Sequence, residues 1–310
     1  MRDRFRAGRD PGCGSRALGG DSSGDDYPRG NRSAATRELT SRLMTSTTAT
    51  RPQSPIGEML RQWRERRRIS QLDLAIQADI STRHLSFVET GRSAPSRDMV
   101  LHLADNLEVP LRERNHLLLA AGYAPVYGES ALDSPQMAAV RQAVRLVLRA
   151  HEPFPALVVD RKWNMVDTNA TLALLTAGAA PHLLEPPVNL LRLSLHPQGV
   201  APRIVNLGEW RGHLLSRLRR EIAVTADAEL SELHDELRDY PAGEAPDVEI
   251  PGPGEVVVPL RIRTDAGELS FFGTVATFGT PMDVTVAELS IESFFPADPQ
   301  TADTLRAALA

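Results

Sequence analysis

The chain has 310 residues, 42% of them hydrophobic, and a formal net charge of −5. That length has room for two domains with separate cores. No apolar run approaches the roughly 18 residues of a membrane span, nothing at the start reads as a secretory signal, and the one cysteine, Cys13, excludes an internal disulfide, so a cytoplasmic protein without a membrane partner is expected.

The charge is unevenly spread. Residues 1–55 carry ten arginines against six acids, residues 56–127 ten against nine, and residues 128–310 fifteen basic residues against twenty-five acids. Residues 1–55 are rich in Gly, Ser, Thr, Arg and Asp without apolar periodicity, so a disordered arm is expected there, with Met44 as an alternative start. An acidic C-terminal half is a poor nucleic-acid binder. Any DNA contact therefore falls in the middle segment.

From Ile56 the pattern becomes helical. "IGEMLRQWRERRR" places Ile56, Met59, Leu60 and Trp63 on one face, with arginines crowding its C-terminal end. "SQLDLAIQA" starts on the cap candidate Ser70 and is expected to turn Leu72, Ala75 and Ile76 inward. After a three-residue turn, "STRHLSFVETGRSAPS" opens on the cap candidate Ser81 and closes at Gly91, with Leu85 and Val88 inward. "SRDMVLHLADNL" and "PLRERNHLLLAAGY" complete five short helices. Such a set, with a tight turn between its second and third members, spells a helix-turn-helix in residues 56–127. The third helix has few anchoring residues and a polar outer face, as a recognition helix requires. Gln71, Ser81, Thr82, Arg83, His84, Ser86, Phe87 and Arg92 are the candidate duplex-DNA contacts. Thr82, Arg83, Ser86 and Phe87 would reach base edges and Gln71 a phosphate.

The stretch from Ile69 to Pro110 resembles the phage-repressor-like (XRE/Cro) helix-turn-helix family. The matching positions are Gln71, Ser81, Leu85, Val88, Glu89, Gly91 and Pro95. The resemblance implies that Glu89 pairs with an arginine of the first helix, at Arg64. Phe87 departs from it, standing where the family is often polar.

After a linker at 128–135, a second domain is expected over 136–310. "MAAVRQAVRLVLRAH" has Met137, Val140, Val144, Val147 and Leu148 on one face. "FPALVVDRKWNMVDTNATLALLTA" reads as strand, turn, strand and a helix capped at Thr168 or Asn169. Two further helices follow, one burying Trp210, Leu214, Leu218 and Ile222, the other Leu230, Leu233 and Leu237. "EVVVPLRIR", "GELSFFGTVATF" and "DVTVAELSIESFF" read as strands. An α+β, PAS-like domain results, with about five antiparallel strands and helices on one face.

"HEPFPALVVDRKWNMVDTNA", "NLLRLSLHPQGVAPRIVNLGEW" and "IESFFPADPQTADTL" resemble the MmyB-like ligand-binding domain of bacterial regulators. That resemblance implies a PAS-like pocket for a small apolar molecule such as a fatty acid. Val159, Trp163, Phe271, Phe272, Val275 and Phe278 lie on the strands expected to floor it, and strand alternation sends about half of them inward. Arg203 or Arg261 would meet a ligand carboxylate. A homodimer matches the way such regulators read two half-sites.

No Gly-rich phosphate loop, nucleophile elbow or CxxC occurs, so no enzyme, cofactor or metal site is expected. Glu209 and His213 share a helix face but read as a solvent-facing pair. Asp160 and Asp167 read as turn residues, and His196 as a residue packed in a turn. The alternative to a ligand sensor is a second domain that only dimerises or binds a protein partner.

Overall fold

The computed structural model describes residues 55–241 and 257–308. Apart from Pro55, which is helical, the expected arm, with Met44 and Cys13, lies outside the described residues, as do Glu255 and Val256 of the third expected strand.

Five helices form the N-terminal part: α1 (Pro55–Arg66), α2 (Gln71–Gln77), α3 (Thr82–Glu89), α4 (Arg97–Asn106) and α5 (Leu111–Ala120). Serines set three of their starts. Ser70, Ser81 and Ser96 accept hydrogen bonds from the backbone N–H of Asp73, His84 and Met99. Gly91, at φ +70°, ends α3 where a side chain would be strained. Ile56, Leu60, Trp63, Leu85, Val88, Leu103 and Leu118 share one buried core. At Gly57 a Cβ would stand 2.5 Å from the Val88 carbonyl oxygen, so only glycine lets α1 pack this closely on α3.

One helix departs from expectation. Leu72 is 57% and Ile76 70% exposed, while α2 buries Leu74 and Ala75, with Ala78 behind them. In a seven-residue helix two apolar faces compete, and the cap at Ser70 starts the helix so that Leu74 and Ala75 meet the core.

The C-terminal part follows as α6 (Ala138–Ala150), β1 (Ala156–Val159), β2 (Met165–Thr168), α7 (Leu172–Thr176), α8 (Leu190–Leu195), α9 (Leu207–Thr225), α10 (Ala228–Asp239), β3 (Leu260–Thr264), β4 (Gly267–Thr277), α11 (Val284–Ala287), β5 (Ser290–Pro296) and α12 (Pro299–Ala308). The strands make one antiparallel sheet in the order β2-β1-β5-β4-β3. The helices do not keep to one face. Leu157 and Val159 join the large core with Leu191, Trp210, Leu214 and Phe271, whereas Ala156 and Val158 face the opposite way against Val144 and Leu148 of α6. β1 is apolar at all four positions and buried on both faces, so both require a cover.

Three local readings are corrected. "DVTVAELS" does not begin as a strand: Asp283 accepts the Thr285 N–H and caps the single turn α11 before β5 starts. Neither Thr168 nor Asn169 caps α7, which starts after Thr171. Instead Asn169 accepts the Ala156 N–H and donates to the Phe154 carbonyl. Val147 is 43% exposed beside Leu146 at 69%, so the outer side of α6 is partly apolar.

Candidate DNA face and ligand cavity

Behind α3 lies a buried polar knot. The Arg64 guanidinium donates to both Glu89 oxygens, at 2.7 and 3.0 Å, and to the Ile69 carbonyl at 2.9 Å. Gln71 Nε2 donates to Glu89 at 2.7 Å. The Arg64 and Glu89 side chains keep only 10% and 1% exposure, so the bidentate pair fixes α1, α2 and α3 together. Its strength also raises the Arg64 pKa above its ordinary value. Gln71, expected on a phosphate, has its amide nitrogen committed to this knot.

The outer face of α3 carries the other expected DNA contacts. Ser81 serves as the cap, Arg83 and Arg92 are exposed, and Thr82, His84, Ser86 and Phe87 are half-buried. The Arg83 and Arg92 guanidiniums both lie over the Phe87 ring, 5.3 and 5.7 Å from its centroid. Two cations are thereby held on one aromatic plate beside the helix.

The second site is a cavity of about 1070 Å³ between the sheet and helices α7, α8 and α9. Leu157, Ile262, Val275 and Phe294 contribute from strands, and Leu172, Leu191, Leu193, Trp210 and Leu214 from helices. Gly273 sits opposite Phe294 in the register and leaves the space above that ring open. A Cβ there would come no nearer than 4.0 Å to Phe294 Cε1.

Of the eight expected pocket residues, Trp163, Val275 and Arg261 line this cavity. Val159 and Phe271 are buried in the core beneath it. Phe272 points to the other face of β4 and stacks on Phe295 at 5.4 Å, and Phe278 packs near α6. The alternation was legible in the sequence; its phase was set by the pairing of β4 with β5. Neither expected carboxylate receptor is free. Arg203 donates to the carbonyls of Leu174, Leu175, Ala177 and Arg263, and Arg261 is paired with Glu268 at 2.7 Å.

The cavity's polar groups come instead from α9 and β5. Arg217 grips the buried Glu292 at 2.9 and 2.5 Å and stacks over Trp163, 4.5 Å from the ring centroid. Trp163 Nε1 donates to Glu221 at 3.0 Å, and burial raises that carboxyl's pKa. Arg211 donates to the carbonyls of Leu237, Arg238 and Tyr240. It has no carboxylate partner among the described residues. Glu209 and His213 both line the cavity rather than facing only solvent. His213 stacks on Trp210 at 5.4 Å; burial, then the charges of Arg217 and Arg220, hold its pKa below the ordinary value. Asp160 accepts the N–H groups of Lys162 and Asn164 as a turn residue does, and His196 Nδ1 accepts that of Gln198. Among the described residues no three metal-ligating side chains come together, and no helix is long and apolar enough to cross a membrane.

Residues 140–308 match the family described as MmyB-like transcription regulator ligand binding domain, and residues 55–117 match a helix-turn-helix domain. No curated protein matches the chain. Among solved structures, an RNA-binding light-oxygen-voltage receptor aligns at 14% identity over 83% of this chain and 64% of its own, less than two thirds of its length. The TM-score is 0.24, too low to bear on fold or function.

Proposed function

The chain belongs to the MmyB-like transcription regulator ligand-binding family, with a helix-turn-helix domain ahead of that domain, and from that premise we propose that it is a cytoplasmic, homodimeric regulator whose affinity for an operator responds to a long-chain apolar acid. The observation that carries this reading is the cavity of about 1070 Å³, walled mainly by leucines, valines and aromatic rings. Such walls favour an aliphatic chain through burial of its methylenes, each worth about 0.8 kcal/mol. A ligand carboxylate would face Arg211, whose Nη2 is held by three backbone carbonyls but whose buried Nε has no hydrogen-bond partner among the described residues, whereas the cavity's other arginines, Arg217 and Arg261, already hold Glu292 and Glu268. On the DNA side, Arg83 and Arg92 beside Phe87 form the reading edge of α3.

The test is to extract the purified full-length protein with organic solvent, identify the extract by mass spectrometry, and titrate long-chain fatty acids back into the stripped protein. Recovery of an acid and saturable rebinding that Arg211→Gln weakens support the reading. A protein that yields nothing and binds none contradicts it. A second reading, a domain that only dimerises or binds a protein, draws on the exposed Leu146 and Val147 of α6.

A further inference from the structure

The helix-turn-helix core and the cores around the sheet are separate apolar clusters. What joins them is polar. Asn115 of α5 fixes the chain up to Tyr127: its Oδ1 accepts the Val126 and Tyr127 N–H groups, and its Nδ2 donates to the Tyr127 carbonyl. One residue later the chain is anchored to the sheet domain. The Val284 N–H donates to the Gly128 carbonyl, and Asp283 accepts the Ser130 N–H. The hinge therefore falls between Tyr127 and Gly128.

Arg112 of α5 spans that hinge. It donates to both Glu288 oxygens, at 2.8 and 2.9 Å, and to Glu129 at 2.6 Å. Among the described residues this is the one side-chain hydrogen-bonded pair between the five-helix part and α6–α12. Glu288 in turn stands 3.8 Å from Arg161, which is paired with Asp227. Arg161 belongs to the β1–β2 hairpin, which Asp160 holds rigid. Two residues further along that hairpin is Trp163.

Trp163 and Arg217 line the ligand cavity on one side and, on the other, a cleft of about 800 Å³ bounded by Arg112, Arg161 and Glu288. They are the partition between the two spaces. We propose that Arg112 is the positioning residue that orients the helix-turn-helix on the sensor domain, and that the hairpin and the ion pairs Arg112–Glu288–Arg161–Asp227 transmit displacement of Trp163 by a cavity occupant to it. The idea rests on the ligand-sensing reading. Domains that meet through polar contacts rather than a large shared apolar core move relative to one another more readily. A shift of the rigid hairpin moves Arg161 with Trp163, and Glu288 is then drawn away from or released to Arg112.

The experiment uses the full chain with Cys13→Ser, carrying spin labels at Asp98→Cys on α4 and Arg219→Cys on α9, and reads the distance distribution between them. The parent should give one narrow distribution. Arg112→Gln and Arg161→Gln should each broaden it, and the double variant should add little, because both act on one relay. Glu288→Gln, which weakens the acceptor that both arginines face, should broaden it as Arg112→Gln does. Gly273→Phe, which projects a ring into the cavity without any added ligand, should shift the distribution in the parent and leave Arg161→Gln unchanged. The proposal is overturned if Arg112→Gln leaves the distribution narrow, or if folded Gly273→Phe shifts nothing. Because Gly273→Phe needs no ligand, a failure of fatty acids to bind would count against the ligand identity alone.

Discussion

Arg83, Glu89 and His213 each set a measurable property by a different route. Arg83 is exposed on α3 and braced by Phe87. Arg83→Ala should weaken operator binding by about 1–3 kcal/mol and relax the preference at one base step, checked by binding to single-base variants of a selected operator. Equal loss on every sequence would instead make it a phosphate contact. Glu89→Ala removes the acceptor shared by Arg64 and Gln71. With a buried cation left unpaired, the helix-turn-helix should lose about 3–5 kcal/mol, visible as faster amide exchange over residues 55–120 of the full chain; unchanged exchange would refute it. His213 has a depressed pKa, so the unfolded chain takes up a proton near pH 6.5 while the folded cavity resists it. Its contribution is intact above about pH 6.5 and is lost progressively as pH falls from there through the lower pKa of the folded state. Urea midpoints at pH 7.5 and 5.5 should therefore drop further for the native protein than for His213→Gln.

At the scale of elements, the helix-turn-helix was readable because three of its five short helices start on a serine cap and most carry an apolar stripe at helical spacing. The same local rules misread α2 and α11. In α2, Leu72 and Ile76 compete with Leu74 and Ala75, and only packing against α1 and α3 decides between them. In α11, Val284, Thr285 and Val286 favour a strand, yet the Asp283 cap makes a helical turn. The pairing of Arg64 with Glu89 followed from the family resemblance. The pairings of Arg217 with Glu292 and of Arg112 with Glu288 join residues 75 and 176 positions apart, which no local pattern signals. Nor does any local pattern signal that Arg203 is held by backbone carbonyls, or that Arg261, though it lines the cavity, is paired with Glu268. Within β4, Gly273 is the position that leaves the cavity open. Gly273→Phe should abolish fatty-acid binding with little change in the unfolding midpoint, because its Cβ meets nothing closer than ordinary contact distance. Unaltered binding by a folded variant would place the ligand elsewhere.

For the whole molecule, the proposed DNA-reading face, the cavity and the polar junction belong to one chain. A ligand shifts DNA affinity only as far as it binds the two domain arrangements differently. The most direct measurement is operator affinity of the stripped full-length protein, at fixed salt, with and without a saturating long-chain fatty acid. A change of about fivefold or more in Kd is expected for the native protein and none for Gly273→Phe. Equal affinities with and without the acid, in a protein shown to bind it, would contradict the claim that the cavity controls DNA binding.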